Sequence, residues 1–200
     1  MPDDFEDDPS YAPRRGEYGE LWRTIQILPE RIALISSMGD RIRFYRARYH
    51  AVAAATGIPW EIVGAIHMRE SGCDFAMNFL NGDTPWSAVT VTVPKGRGPW
   101  ASWEACAIEM LNEQDRPAVP DAIGVCTFME GYNGFGYLSR GLNSPYLWAG
   151  SNHGIGVGKY TSDGHYDPEA VDDQAGAMTT LYWLIDRGYS TLLEAADSSV

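Results

Sequence analysis

Thr56-Gly57-Ile58-Pro59-Trp60-Glu61-Ile62-Val63-Gly64-Ala65-Ile66-His67-Met68-Arg69-Glu70-Ser71-Gly72 is the stretch on which the fold turns. Gly57 suits the left-handed turn that closes one helix, and Pro59 suits the first turn of the next. A helix is therefore expected over residues 59–71, with Ile62, Val63 and Ile66 on one side and Gly72 as its stop. Glu70 falls at its C-terminal end, where the negative pole of the helix dipole disfavours a carboxylate. Ile66 and Met68 lie close in sequence, and burial among them would raise the pKa of Glu70 further. Taken alone, these features fit either a surface glutamate at a helix end or a carboxylic acid held ready to donate a proton.

Upstream, Asp40 is expected to open a helix running to Ala55. Residues 18–37 show helical spacing interrupted at Pro29, so two short helices or one kinked helix are expected. Residues 1–16 are acidic and broken by Pro2, Pro9 and Pro13, which predicts a mobile tail. One catalytic-size domain over residues 17–190 follows, with residues 191–200 as a C-terminal tail.

Downstream, Asn81-Gly82-Asp83 is a turn signal, and Val89-Thr90-Val91-Thr92-Val93 is a β-type run closed by Pro94. A small hairpin is expected there. Ser102 is expected to cap a helix to Glu113, and residues 121–129 to form another. Residues 131–158, rich in glycine, asparagine and aromatics, suit a cleft-lining loop. Asp167-Pro168-Glu169 marks a helix start, with Val171, Ala175, Met178, Leu181, Tyr182 and Ile185 as its apolar stripe and Gly188 as its end. The expected class is mainly α, with one small β-hairpin beside a cleft.

Two hundred residues at 44% hydrophobic are enough for one full core. A net charge of −12 leaves little to neutralise phosphates, which argues against a nucleic-acid partner. Five of those charges fall in the first twenty residues. The acidic start lacks the basic and then apolar pattern of a secretory signal, and the apolar runs are short for a membrane span. The expectation is synthesis in the cytoplasm without a signal peptide, no stable membrane insertion, and a monomer. Cys73, Cys106 and Cys126 show no zinc spacing and are expected to be reduced and buried. His153 and His165 lack partners at metal spacing, so neither metal nor cofactor is expected.

The segment around Glu70 resembles the helix of lysozyme-like glycosidases and lytic transglycosylases, in which a Thr-Gly-x-Pro approach leads to an apolar helix ending in a catalytic Glu-Ser. Asn81-Gly82-Asp83, Thr90-Val91-Thr92-Val93-Pro94-Lys95-Gly96-Arg97, Glu130-Gly131-Tyr132-Asn133-Gly134-Phe135-Gly136-Tyr137, Ser144-Pro145-Tyr146-Leu147-Trp148, Gly158-Lys159-Tyr160 and Asp163-Gly164 are similar to successive motifs of a phage-associated lysozyme-like family. The similarity spans about residues 49–188. Leu80 stands where the family commonly has histidine, and Gly154 where it usually has tyrosine.

The resemblance implies a lysozyme-like fold and Glu70 as general acid. It places Asp83 and Thr90 across the cleft, where the aspartate would activate water and the threonine would help hold it. Asp83 equally suits a plain turn residue, and Thr90 a plain strand residue. Tyr132 would brace the acid and Asn133 would bond a sugar acetamide. Glu130 stands as a second carboxylate facing Glu70 or as part of a helix-capping loop. Tyr137, Trp148 and Asn152 join the expected sugar-binding set, and Trp86 and Trp100 are further stacking candidates. His67, one turn before Glu70, either bonds it or packs in the core.

The implied activity is that of an endolysin-like muramidase acting on peptidoglycan between N-acetylmuramic acid and N-acetylglucosamine, reached after release to the cell wall. A lytic transglycosylase is the nearest alternative. A chitinase or chitosanase is another, since a negative cleft suits a polycationic chain. From a different class, a wall-binding or phage structural protein would keep the fold without the chemistry.

Overall fold

The computed structural model describes residues 12–92, 94–114, 121–162 and 164–193. Within them the α-helices are α1 (Ala12–Arg23), α2 (Ile32–Phe44), α3 (Arg46–Thr56), α4 (Trp60–Ser71), α5 (Trp103–Asn112), α6 (Ala122–Asn133), α7 (Pro145–Trp148) and α8 (Ala177–Asp186). A two-stranded antiparallel sheet pairs β1 (Lys159–Ser162) with β2 (His165–Asp167), setting Tyr160 opposite Tyr166.

α4 is the axis of the molecule. Residues 61–69 are all buried, so the helix is enclosed rather than amphipathic. α2, α3, α6 and α8 surround it. Gly64 makes the tightest of these approaches possible: a Cβ there would lie 2.6 Å from Ile42 Cγ2 and 3.3 Å from the Tyr49 ring. Gly57 and Gly72 close α3 and α4 in the left-handed conformation, at φ 74° and 61°. The remaining core comes from Ile35, Ile42, Leu111, Met129, Leu147, Trp148, Met178 and Leu181. Ser102 and Asp121 cap α5 and α6, accepting from the amides of Ala105 and Gly124. All three cysteines are free and buried.

Several expectations are corrected. Residues 89–92 form no strand, although their composition is β-type. Asp83 Oδ2 accepts from the amides of Val91 and Thr92 at 2.7 and 2.9 Å, so these donors serve a side chain instead of a neighbouring strand. Val93 lies outside the described residues. The sheet forms instead at residues 159–167, where no strand was expected. Asp40 lies inside α2 rather than opening a helix, and α1 takes in Ala12–Gly16, part of the expected tail. Residues 1–11 of that tail, and 194–200 at the other end, lie outside the described residues. The final helix begins at Ala177, ten residues after the Asp167 signal. Asp167 Oδ1 and Asp172 Oδ1 accept from the amides two residues on, which closes side-chain turns instead of a helical ladder. Val171 is accordingly exposed.

Candidate active site

Glu70 sits in the last turn of α4, after nine buried residues and before the Gly72 stop. Its carboxylate reaches a cleft of about 250 Å³ whose walls also include Leu80, Met110, Glu113, Gln114, Tyr132 and Asn133. α7 brings Tyr146 to the same carboxylate, and its hydroxyl donates to Glu70 Oε1 at 3.0 Å. Burial raises the pKa of Glu70, against the opposing pull of the Tyr146 hydroxyl and of the Arg69 charge. Burial, followed by the nearby Glu70, also holds the Tyr132 and Tyr146 phenols protonated. The result is a carboxyl shielded toward its neutral form, braced by a neutral donor, and open to a cleft. Such a group can deliver a proton to a leaving oxygen.

Tyr132 and Asn133 reach this cleft as expected, but from the last turn of α6 rather than from a loop. The Tyr132 hydroxyl donates to Phe79 O at 3.3 Å, so bracing of Glu70 falls to Tyr146. Asn133 is exposed.

Asp83 and Thr90 are held differently from what the resemblance implied. The turn bearing Asp83 lies at the end of α4, where a Cβ on Gly82 would be 3.7 Å from Glu70 O. The hydrogen bonds from Thr92, side chain and amide, and from the Val91 amide lower the Asp83 pKa and make it a weak base. Thr90 is buried, and its hydroxyl donates to Pro94 O at 2.7 Å and accepts from Arg97 N at 3.0 Å. Both side chains thus organise one loop.

Four expected sugar contacts are engaged within the fold. Glu130 is 1% exposed and accepts from the Tyr18 hydroxyl of α1, so it belongs to the core. Trp148 is fully buried and has no face for a ring to stack on. Tyr137 is buried, and its hydroxyl accepts from Tyr160 N at 2.9 Å, joining the sheet to the body. Asn152 accepts from Gln26 N and donates to Thr24 O, which fastens the segment after α1.

The indoles of Trp86 and Trp100 donate to Phe75 O and to Glu109 Oε2. Trp100 is buried and Trp86 half-buried. His67 is a core residue: it meets the Tyr49 hydroxyl at 3.0 Å and the Trp103 ring, and burial pushes its pKa down to about 3.

Sequence reasoning missed Tyr146 as the residue that braces Glu70, and Met110, Glu113 and Gln114 as cleft residues. The Ser144-Pro145 pair was a usable signal for Tyr146, because proline in a first helical turn fixes where the following side chains project. The other three are remote from Glu70 in sequence and meet it only in the fold.

Among the described residues, no group of three or more His, Cys, Asp or Glu side chains could hold a metal ion. No single helix there is long and apolar enough to cross a membrane, although the sharply bent pair α3 and α4 passes by length and composition. No family model, curated protein or solved structure matches the chain.

Proposed function

We propose that this protein cleaves the β-1,4-linked glycan strands of bacterial cell wall, with Glu70 as the general acid on a lysozyme-like helical domain. The observation that carries the reading is the Glu70 carboxyl itself. It is displaced toward its protonated form, held at 3.0 Å by Tyr146, and opens on a cleft beside it. Glycosidic cleavage requires such an acid on the leaving oxygen. The cleft walls suit an acetamido sugar: Leu80 offers apolar surface to its methyl group, and Asn133 and Gln114 offer amides to its polar atoms. The order of motifs in the sequence supports the same reading.

The muramidase form of this proposal needs a base to activate water. A second form, in which the muramic acid 6-hydroxyl closes a 1,6-anhydro ring, is favoured by one observation. Asp83 is committed to the Val91 and Thr92 amides with a lowered pKa, and Thr90 to the loop backbone. Glu70 then serves in turn as acid and base.

The test is mass analysis of soluble fragments released from purified peptidoglycan by the wild-type protein and by Glu70→Gln. Glycan fragments are expected from the wild type alone, and anhydro ends would mark the second form. A folded Glu70→Gln protein with undiminished release would eliminate Glu70 as the acid. A wild type that releases nothing from peptidoglycan but cuts chitin or chitosan would move the substrate. One that cuts none of these would make the chain a binding or structural protein.

A further inference from the structure

Behind the Glu70–Tyr146 contact lies a buried group of charges that the proposed reaction does not use directly. Arg69 Nη2 donates to Asp172 Oδ2 at 2.8 Å and Nη1 to Ala175 O at 3.1 Å. Both side chains of this ion pair are almost fully buried, at 6% and 4% exposure. Lys159 Nζ, from β1, stands 3.5 Å from Asp172 Oδ1. The Arg69 guanidinium lies over the Tyr146 ring, 4.9 Å from its centroid. Gln174 Nε2 donates to Arg69 O, on the backbone next to Glu70.

Burying a charged pair brings little net stability, because desolvation offsets the attraction. The position of this pair is more informative. Arg69 is the cation adjoining Glu70, and Asp172 is the anion that holds it over the Tyr146 ring.

The geometry points to Arg69 and Asp172 as positioning residues for Glu70: Asp172 anchors the Arg69 guanidinium on the Tyr146 ring, fixing the hydroxyl that holds the acid and keeping the neighbouring positive charge neutralised. The inference rests on Glu70 being the acid. The groups that face Glu70 are consistent with it. Tyr132 and Tyr146 approach it as neutral phenols, Glu113 stands in the same cleft, and Arg69 adjoins it on α4. Of the other elements packed on α4, α2 brings Arg41 to Gly72 O, α3 brings Tyr49 to His67, and α8 brings Thr180 to Met68. Arg69 is thus the cation that acts on Glu70 most directly, and Asp172 is its partner.

Removing Asp172 alone frees the Arg69 charge and should draw Glu70 toward its ionised form. Removing both charges should release it toward the neutral form. The experiment is NMR titration of carboxyl-labelled glutamate, with the Glu70 signal assigned from Glu70→Gln, in the wild type, Asp172→Asn and Arg69→Gln/Asp172→Asn. The expected midpoints for Glu70 run in the order Asp172→Asn, wild type, double variant, from low to high pH. In the glycan assay the alkaline limb should move the same way, and kcat of the double variant should fall by about ten- to a hundredfold as the acid loses its fixed placement.

Asp172→Asn leaves a buried charge unpaired and can fail to fold. The double variant removes both charges and then decides the matter by itself. Glu70 titrating as in the wild type in a folded double variant would overturn the inference. A wild type inert on every glycan fails the activity reading instead, and the titration reads Arg69 and Asp172 regardless.

Discussion

Tyr146→Phe removes one hydroxyl from the fold, and its effect should depend on pH with a definite sign. The Tyr146 side chain is 5% exposed and donates to Glu70 Oε1 at 3.0 Å, ordinary hydrogen-bond geometry. When Glu70 is neutral, the loss is that of an ordinary bond, about 1 kcal/mol; when it is ionised, the bond is charge-assisted and worth about 1.5–3 kcal/mol. Folding raises the Glu70 pKa, so its burial costs stability as pH rises from the unfolded value through the folded one. The Tyr146 hydroxyl opposes that rise, so the phenylalanine variant carries a still higher folded pKa. Its deficit should therefore grow with pH, smaller near pH ~4 than near pH ~8. For a chain of this size the difference corresponds to a drop in Tm of roughly 3–10 °C at the higher pH. Urea denaturation of both proteins at the two pH values measures it. The alkaline limb of glycan cleavage should also move to higher pH, with a lower kcat. A stability deficit that is flat with pH, or an alkaline limb that moves down, would refute the account of how Glu70 is held.

Other outcomes follow from the same contacts. Glu70→Gln should lower glycan cleavage by about 10²–10⁴-fold. It should also unfold at higher urea than the wild type near neutral pH, where the carboxylate is unfavourably buried; equal midpoints there would show that burial does not strain Glu70. Asp83→Asn keeps an acceptor oxygen for Val91 and Thr92 but cannot act as a base, so activity should stay within about tenfold of wild type; a loss of roughly a hundredfold or more would restore Asp83 as the base. Gly64→Ala forces a methyl group to 2.6 Å from Ile42, and overpacking of about 1–3 kcal/mol should outweigh the helix-propensity gain of about 1 kcal/mol, lowering the urea midpoint.

The elements most legible in the sequence were those set by local chemistry. Gly57, Pro59 and Gly72 bracket α4, and Ser102 and Asp121 cap α5 and α6, because caps and breakers act within a few residues. The placement of Glu70 at the end of an apolar helix followed from that bracketing. What depends on a partner distant in the chain was not legible. Whether residues 89–92 pair as a strand was decided by Asp83 taking their amides. Whether Trp148 and Glu130 face sugar or core was decided by how α6 and α7 pack against their neighbours, since a loop-like composition does not determine burial. The sequence by itself determined the central helix, its stop and the position of its candidate acid. Only the tertiary structure decided that Tyr146, and behind it Arg69 and Asp172, hold that acid, because those contacts join residues more than seventy positions apart and exist only once the helices have packed.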